Sequence, residues 1–72
     1  MNRTRQTDRI LRYLDDYGSI TQLEALQEFG CMRLASRISD LRNAGYGIAT
    51  AWEESKNRYG ETTRYARYTL VR

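Results

Sequence analysis

Between Thr7 and Tyr17 the apolar side chains Ile10, Leu11 and Leu14 recur at three- and four-residue spacing. Tyr13 and Tyr17 flank them, and Arg9, Arg12, Asp15 and Asp16 lie outside. This period predicts an amphipathic helix with one face turned to a core. Gly18 follows directly and suits the left-handed residue that ends a helix. Ser19 and Ile20 are too short for an independent strand, but a short extended piece here has a partner if a hairpin lies further on. Thr21 and Glu24 then stand in the Thr-x-x-Glu relation of a capping box, so a second helix is expected from about Gln22. Leu23, Ala25 and Leu26 lead to Phe29, and Gly30 breaks this helix after about two turns. A third helical pattern runs from about Met32 to Asn43, with Leu34, Ile38 and Leu41 in one narrow stripe, and Gly45 closes it.

After Gly45 the period falls to two. Tyr46, Ile48, Thr50 and Trp52 alternate with Gly47, Ala49 and Ala51, the signature of a strand built from β-forming residues. A polar stretch, Glu53 to Glu61, is expected to form the connecting loop. It separates this strand from a second alternating run with Ala66, Tyr68 and Leu70 on one face and Tyr65, Arg67, Thr69 and Val71 on the other. A turn tip near Arg58 sets Ile48 opposite Tyr68 or Leu70, and Trp52 opposite Arg64 or Ala66. The expected order is helix, helix, helix, hairpin, in an α+β fold. Tyr46, Trp52, Tyr65 and Tyr68 are expected to cover the helices as core rather than to stack on bases.

Seventy-two residues suffice for one domain, 1–72, with the polar segment 1–6 expected to be disordered. The lone Cys31 has no disulfide partner in the chain, and without histidine no ordinary zinc site assembles; no metal and no cofactor are expected. The polar N-terminus does not read as a signal peptide, and no apolar run reaches bilayer length, so a cytoplasmic protein is expected with no membrane partner. The net charge of +3 is unevenly spread. Through Gly30 four arginines face five acids, while from Cys31 onward eight basic residues face four. All but one of the basic residues are arginine, whose planar fork suits phosphate and guanine edges.

Two helices joined by a short glycine-containing turn, then a hairpin with a basic polar tip, follow the winged helix-turn-helix plan. The residues Gly18-Ser19-Ile20-Thr21, Glu24-Ala25, Gly30 through Ile38, Asp40-Leu41-Arg42, Gly45-Tyr46 and Arg64 through Tyr68 resemble a family of small winged-helix proteins found mainly in bacteriophages and prophages. The resemblance spans about Gln6 to Leu70 and implies a phage-encoded DNA-binding module in the host cytoplasm. With the Leu34 stripe buried, the opposite side of the third helix carries Met32, Arg33, Ser36, Ser39, Asp40 and Asn43. These offer donors, acceptors and charge at low bulk, as base edges in a major groove demand. Arg33 and Ser36, near the helix start, are expected to reach deepest.

Arg37 borders the buried stripe and fits either a phosphate contact or an ion pair with Asp40 or an acid of the second helix. Arg42, on the other border, is expected at phosphate or solvent. Lys56 and Arg58, with Asn57 and Gly60, read as a flexible basic loop for phosphate or minor-groove contact. Glu53, Glu54 and Glu61 beside it would be repelled by DNA, which leaves the hairpin's role open. Nothing matches a catalytic constellation, so the chain is not expected to be an enzyme. Two roles are carried forward. One is sequence-specific double-stranded DNA binding, as a transcriptional regulator or a recombination or architectural factor. The other is a protein-interaction module that binds and inhibits a host protein. Either is compatible with a monomer or weak homodimer, since no separate dimerisation helix is present.

Overall fold

The computed structural model describes residues 3–71, and side chains from Gln6 onward. Its elements are α1 (Arg3–Tyr17), β1 (Ser19–Thr21), α2 (Gln22–Phe29), α3 (Leu34–Asn43), β2 (Ile48–Lys56) and β3 (Thr62–Leu70). This is a winged helix-turn-helix arrangement, three helices followed by a β-hairpin, with the short strand after α1 also present. Helix α1 begins earlier than its apolar pattern. Of the segment 1–6 that was expected to be disordered, Met1 and Asn2 lie outside the described residues.

Ile10 and Leu14 from α1, Ile20 from β1, Ala25 from α2 and Leu34, Ile38 and Leu41 from α3 meet Cys31 and Ile48 in one buried cluster. Leu11, Tyr13, Phe29, Tyr68 and Leu70 pack around it. Full burial of a side chain such as Ile38 contributes about 1.5–3 kcal/mol. Helix α2 contributes less than its composition promises, because Leu23 and Leu26 stay exposed while Ala25 alone is fully buried.

The sheet order is β1-β3-β2, all antiparallel. Strand β1 pairs Ile20 with Tyr68, and the Leu70 N–H donates to the Gly18 carbonyl at 3.1 Å, so β1 ties the hairpin's C-terminal end to α1. In the hairpin Ile48 faces Leu70 and Trp52 faces Ala66, in agreement with the register read from a tip near Arg58. The strands run further than expected: β2 reaches Lys56, so Glu53, Glu54 and Ser55 are ladder residues and not loop. Polarity did not mark a loop here because the ladder is held by backbone hydrogen bonds, and strands whose side chains are largely exposed need no apolar face to keep it.

Candidate nucleic-acid interface

The capping box that opens α2 is closed on both sides. The Glu24 N–H donates to Thr21 Oγ1 at 3.2 Å, and the Thr21 N–H donates to Glu24 Oε1 at 2.9 Å. This fixes the first turn of α2 and with it Gln22, whose side chain crosses to α3. Its Nε2 donates to the Cys31 carbonyl at 2.6 Å, and its Oε1 accepts the Leu34 N–H at 3.0 Å. Helix α3 has Arg33 at its N-cap and no capping side chain of its own. Gln22 supplies that cap from the preceding helix, so one amide sets the turn and the start of α3 together. Sequence reading passed over Gln22 because capping signals are sought next to a helix, and this one lies twelve residues upstream.

Helix α3 begins at Leu34, not at Met32, so Met32 and Arg33 lie in the turn. Both are exposed, Met32 at 78%. Along α3 the side chains of Ser39 and Asn43 are exposed and Ser36 half-buried, on the side away from Leu34, Ile38 and Leu41. Ser36, Ser39 and Asn43 thus share the open side of α3, and Arg33 is exposed in the turn before it. Asp40 does not join them. It is half-buried, lines a cleft with Thr7, Asp8 and Leu11 of α1, and lies 3.7 Å from the Arg37 guanidinium. Arg37, whose side chain is 19% exposed, makes this ion pair, one of its two expected roles.

Arg42 has partners within the fold. Its guanidinium donates to the Ile48 carbonyl from Nε at 3.0 Å and from Nη2 at 2.7 Å, and from Nη2 to Thr50 Oγ1 at 2.8 Å. It also sits 6.0 Å from the Tyr68 ring centroid. Phosphate or solvent was expected because Arg42 borders the stripe, but an arginine in the last turn of a helix finds a strand carbonyl within reach when the next strand returns after so short a turn. That turn is tight: the Gly45 N–H donates to Arg42 O at 3.0 Å and the Tyr46 N–H to Leu41 O at 3.1 Å, with Gly45 at φ +104°.

At the hairpin tip, Asn57 Oδ1 accepts from the Tyr59 and Glu61 N–H groups at 2.9 and 3.1 Å, and Asn57 Nδ2 donates to Glu61 Oε1 at 3.1 Å. The loop expected to be flexible is therefore closed on itself by Asn57. Lys56 and Arg58 are exposed at its base and crown. Directly paired residues share a face, so the register sorts the hairpin's charges. One face, which we call inner because Ile48, Leu70 and Tyr68 turn it to the helices, carries Thr50, Trp52, Glu54 and Lys56 opposite Tyr68, Ala66, Arg64 and Thr62. The outer face carries Glu53 opposite Tyr65, and Arg67 next to them.

On the outer face Arg67 donates to Glu53 Oε2 at 2.9 Å and to Ser19 Oγ at 3.1 Å, and lies 3.7 Å from Glu24 of the capping box. The hydroxyl of Tyr65 and the guanidinium of Arg67 hold the Glu53 carboxyl below its ordinary value, and Glu53 raises Arg67 further above its own. On the inner face Trp52 is 65% exposed, and the Arg64 guanidinium lies 5.8 Å from its ring centroid. Such a pair contributes about 0.5–1 kcal/mol at an exposed site. Trp52 and Tyr46 were expected in the core; both are exposed, whereas Tyr68 packs on it and Tyr65 is half-buried. The alternation gave their face correctly, but not that the helices end before the hairpin does.

Among the described residues no helix is long and apolar enough to cross a membrane, and no group of acids and cysteine is placed to hold a metal ion. Comparison with curated proteins and with solved structures gives no match. The family model described as a winged helix-turn-helix domain matches residues 5–72. With helix-turn-helix, hairpin and short β1 in the places that plan requires, the chain belongs to the winged helix-turn-helix domain family.

Proposed function

We infer that this protein binds double-stranded DNA in a sequence-specific manner, with α3 in the major groove. The observation that carries the reading is the open side of the helix-turn-helix. Arg33 stands at the α3 N-cap and Ser36, Ser39 and Asn43 follow along the exposed side, while Gln22 holds the start of α3 in place. Short polar side chains allow a helix to approach base edges closely, and an arginine at its start reaches guanine O6 and N7. The excess of basic residues from Cys31 onward adds the sequence-independent attraction to phosphate. In the phage setting implied by the family resemblance, the bound site serves transcriptional regulation or the architecture of a recombination complex.

The test is selection of bound duplexes from a randomised library by the purified protein. A shared motif, with Arg33→Ala relaxing preference at one position of it, is the expected result. Recovery of unselected sequence, bound with full salt sensitivity but no preference, overturns sequence-specific reading. A second reading, a protein-interaction module that inhibits a host protein, is favoured by one feature. An open groove along α1 is lined by Leu11, Tyr46 and Leu70 and rimmed by Asp8, Asp15 and Asp16 with Arg12, a net acidic surface unsuited to DNA. On that reading substitutions in this groove, and not at Arg33, abolish activity in the host.

A further inference from the structure

Two surfaces of this chain have the chemistry to fit each other. The first is the open groove along α1, whose apolar side chains Leu11, Tyr46 and Leu70 are incompletely covered, Tyr46 at 44% exposure. The charged residues that line it are Asp8, Arg12, Asp15 and Asp16, and Arg12 lies 3.9 Å from Asp16, so the rim is net acidic. An acidic rim around exposed apolar side chains selects an occupant that brings an apolar side chain together with positive charge.

The second is the hairpin tip. Lys56 and Arg58 are exposed on either side of Asn57, and Tyr59 follows at 78% exposure. Glu61, the acid of this loop, is bound by Asn57, and Asn57 Oδ1 also holds the Tyr59 N–H at 2.9 Å. A ring so placed covers no core, and a loop already closed on itself loses little freedom when it docks. Groove and tip cannot meet within one copy. Leu70 ends β3 at the groove and Thr62 starts it beside the tip, and eight residue steps of about 3.3 Å put roughly 26 Å between them. A tip therefore enters a groove only on another copy, and each copy so joined still offers a tip or a groove of its own.

We propose that this chain associates with itself head to tail, the hairpin tip of one copy seated in the α1 groove of the next. Tyr59 lies on Leu11, Tyr46 and Leu70, while Lys56 and Arg58 face Asp8, Asp15 and Asp16. Such a contact is heterologous, so it extends from copy to copy instead of closing a two-fold pair. One ring and two cations bury well under the roughly 1,200 Å² of a stable interface, which makes the association weak and dependent on concentration. It requires no DNA, and its failure would leave the DNA-binding reading untouched.

The test uses the full chain without DNA. Sedimentation velocity and amide chemical shifts are followed as the protein is concentrated from about 0.01 to 1 mM. Expected is an average mass that rises without levelling at the dimer, with shift changes gathered at the groove residues and at 56–59. Association is expected to be about fivefold weaker in about 0.5 M salt, because exposed charge pairs are screened. Tyr59→Ser with Arg58→Glu disables the tip, and Asp15→Lys with Asp16→Lys disables the groove. All these side chains are exposed, so the melting temperatures stay close to wild type, and the wild-type measurement requires no variant at all. Each double variant alone is monomeric. Their equimolar mixture forms a dimer that grows no further, since one supplies the intact groove and the other the intact tip. A wild-type chain that stays monomeric at about 1 mM overturns the proposal. A tip variant that still associates as wild type does also overturns it, because the groove then pairs without the tip. So does a mixture of the two folded variants that remains monomeric while the wild-type chain associates.

Discussion

Arginines of similar appearance in the sequence have opposite duties in the structure. Arg33 has an exposed side chain at the α3 N-cap and caps nothing, so Arg33→Ala is expected to leave the melting temperature unchanged and to reduce specific DNA affinity by about 1–3 kcal/mol. A thermal melt alongside a binding titration separates the two effects. Arg42→Ala should do the reverse in the melt, because it removes three hydrogen bonds that hold β2 to the end of α3. Its expected cost is about 1–2 kcal/mol of stability, seen as a lower denaturant midpoint. Gln22→Ala leaves the Leu34 N–H and the Cys31 carbonyl without their partner, and should cost a similar amount, about 1–2 kcal/mol, in line with the loss of a helix cap. Because Gln22 lies outside the open side but positions it, this variant should also weaken binding to the selected motif, while weakening non-specific binding less. At this scale the sequence was partly legible. Exposure of Ser39 and Asn43 follows from helical phase alone, whereas Arg33 was read as helical and lies in the turn, and the duties of Arg42, Arg37 and Gln22 depend on which neighbour arrives across the fold, which no local pattern contains.

Elements were more legible than residues, since each has its own stop signal. Gly18, Gly30 and Gly45 all take positive φ where the periodic stretches end, and the Thr21 and Glu24 capping box marks the start of α2. Errors fell where an element's extent is set by something other than a core. The hairpin strands run past Trp52 through polar residues because the ladder continues in water, and α3 starts two residues late because its cap comes from α2. The outer-face network gives the hairpin base a pH dependence whose sign can be worked out. Tyr65 and Arg67 lower the folded-state value of Glu53 from 4.5, so this contact stabilises the fold above that pH, and its contribution is lost as pH falls through the lower folded value. Glu53→Gln should therefore melt below wild type at neutral pH, with the gap closing under acid conditions. A gap that stays constant from pH 7 into the acid range would show that Arg67 does not depend on this carboxylate.

At the scale of the whole molecule, a single thin core carries every element. Leu34→Ala, Ile38→Ala and Leu41→Ala are each expected to cost about 2–5 kcal/mol, a large share of the 5–15 kcal/mol typical of a domain, and to show as loss of cooperative thermal unfolding at or near physiological temperature. Retention of wild-type stability by any of them would contradict the assigned burial. The fold class was fully legible because order, periodicity and stop signals agree with one another. The division of the hairpin into a charged inner and a neutralised outer face was not, since it needed the register and the reach of the helices together. One further consequence lies in the turn between α2 and α3. Cys31, the chain's single thiol, is 2% exposed there, with its own carbonyl bound by Gln22. A thiol reagent can reach it only when this part of the molecule opens, so the alkylation rate of the native protein is a clock for that opening. If the turn opens without global unfolding, the labelling rate will exceed what the overall stability allows, and a duplex held by α3 will slow the clock in proportion to its occupancy.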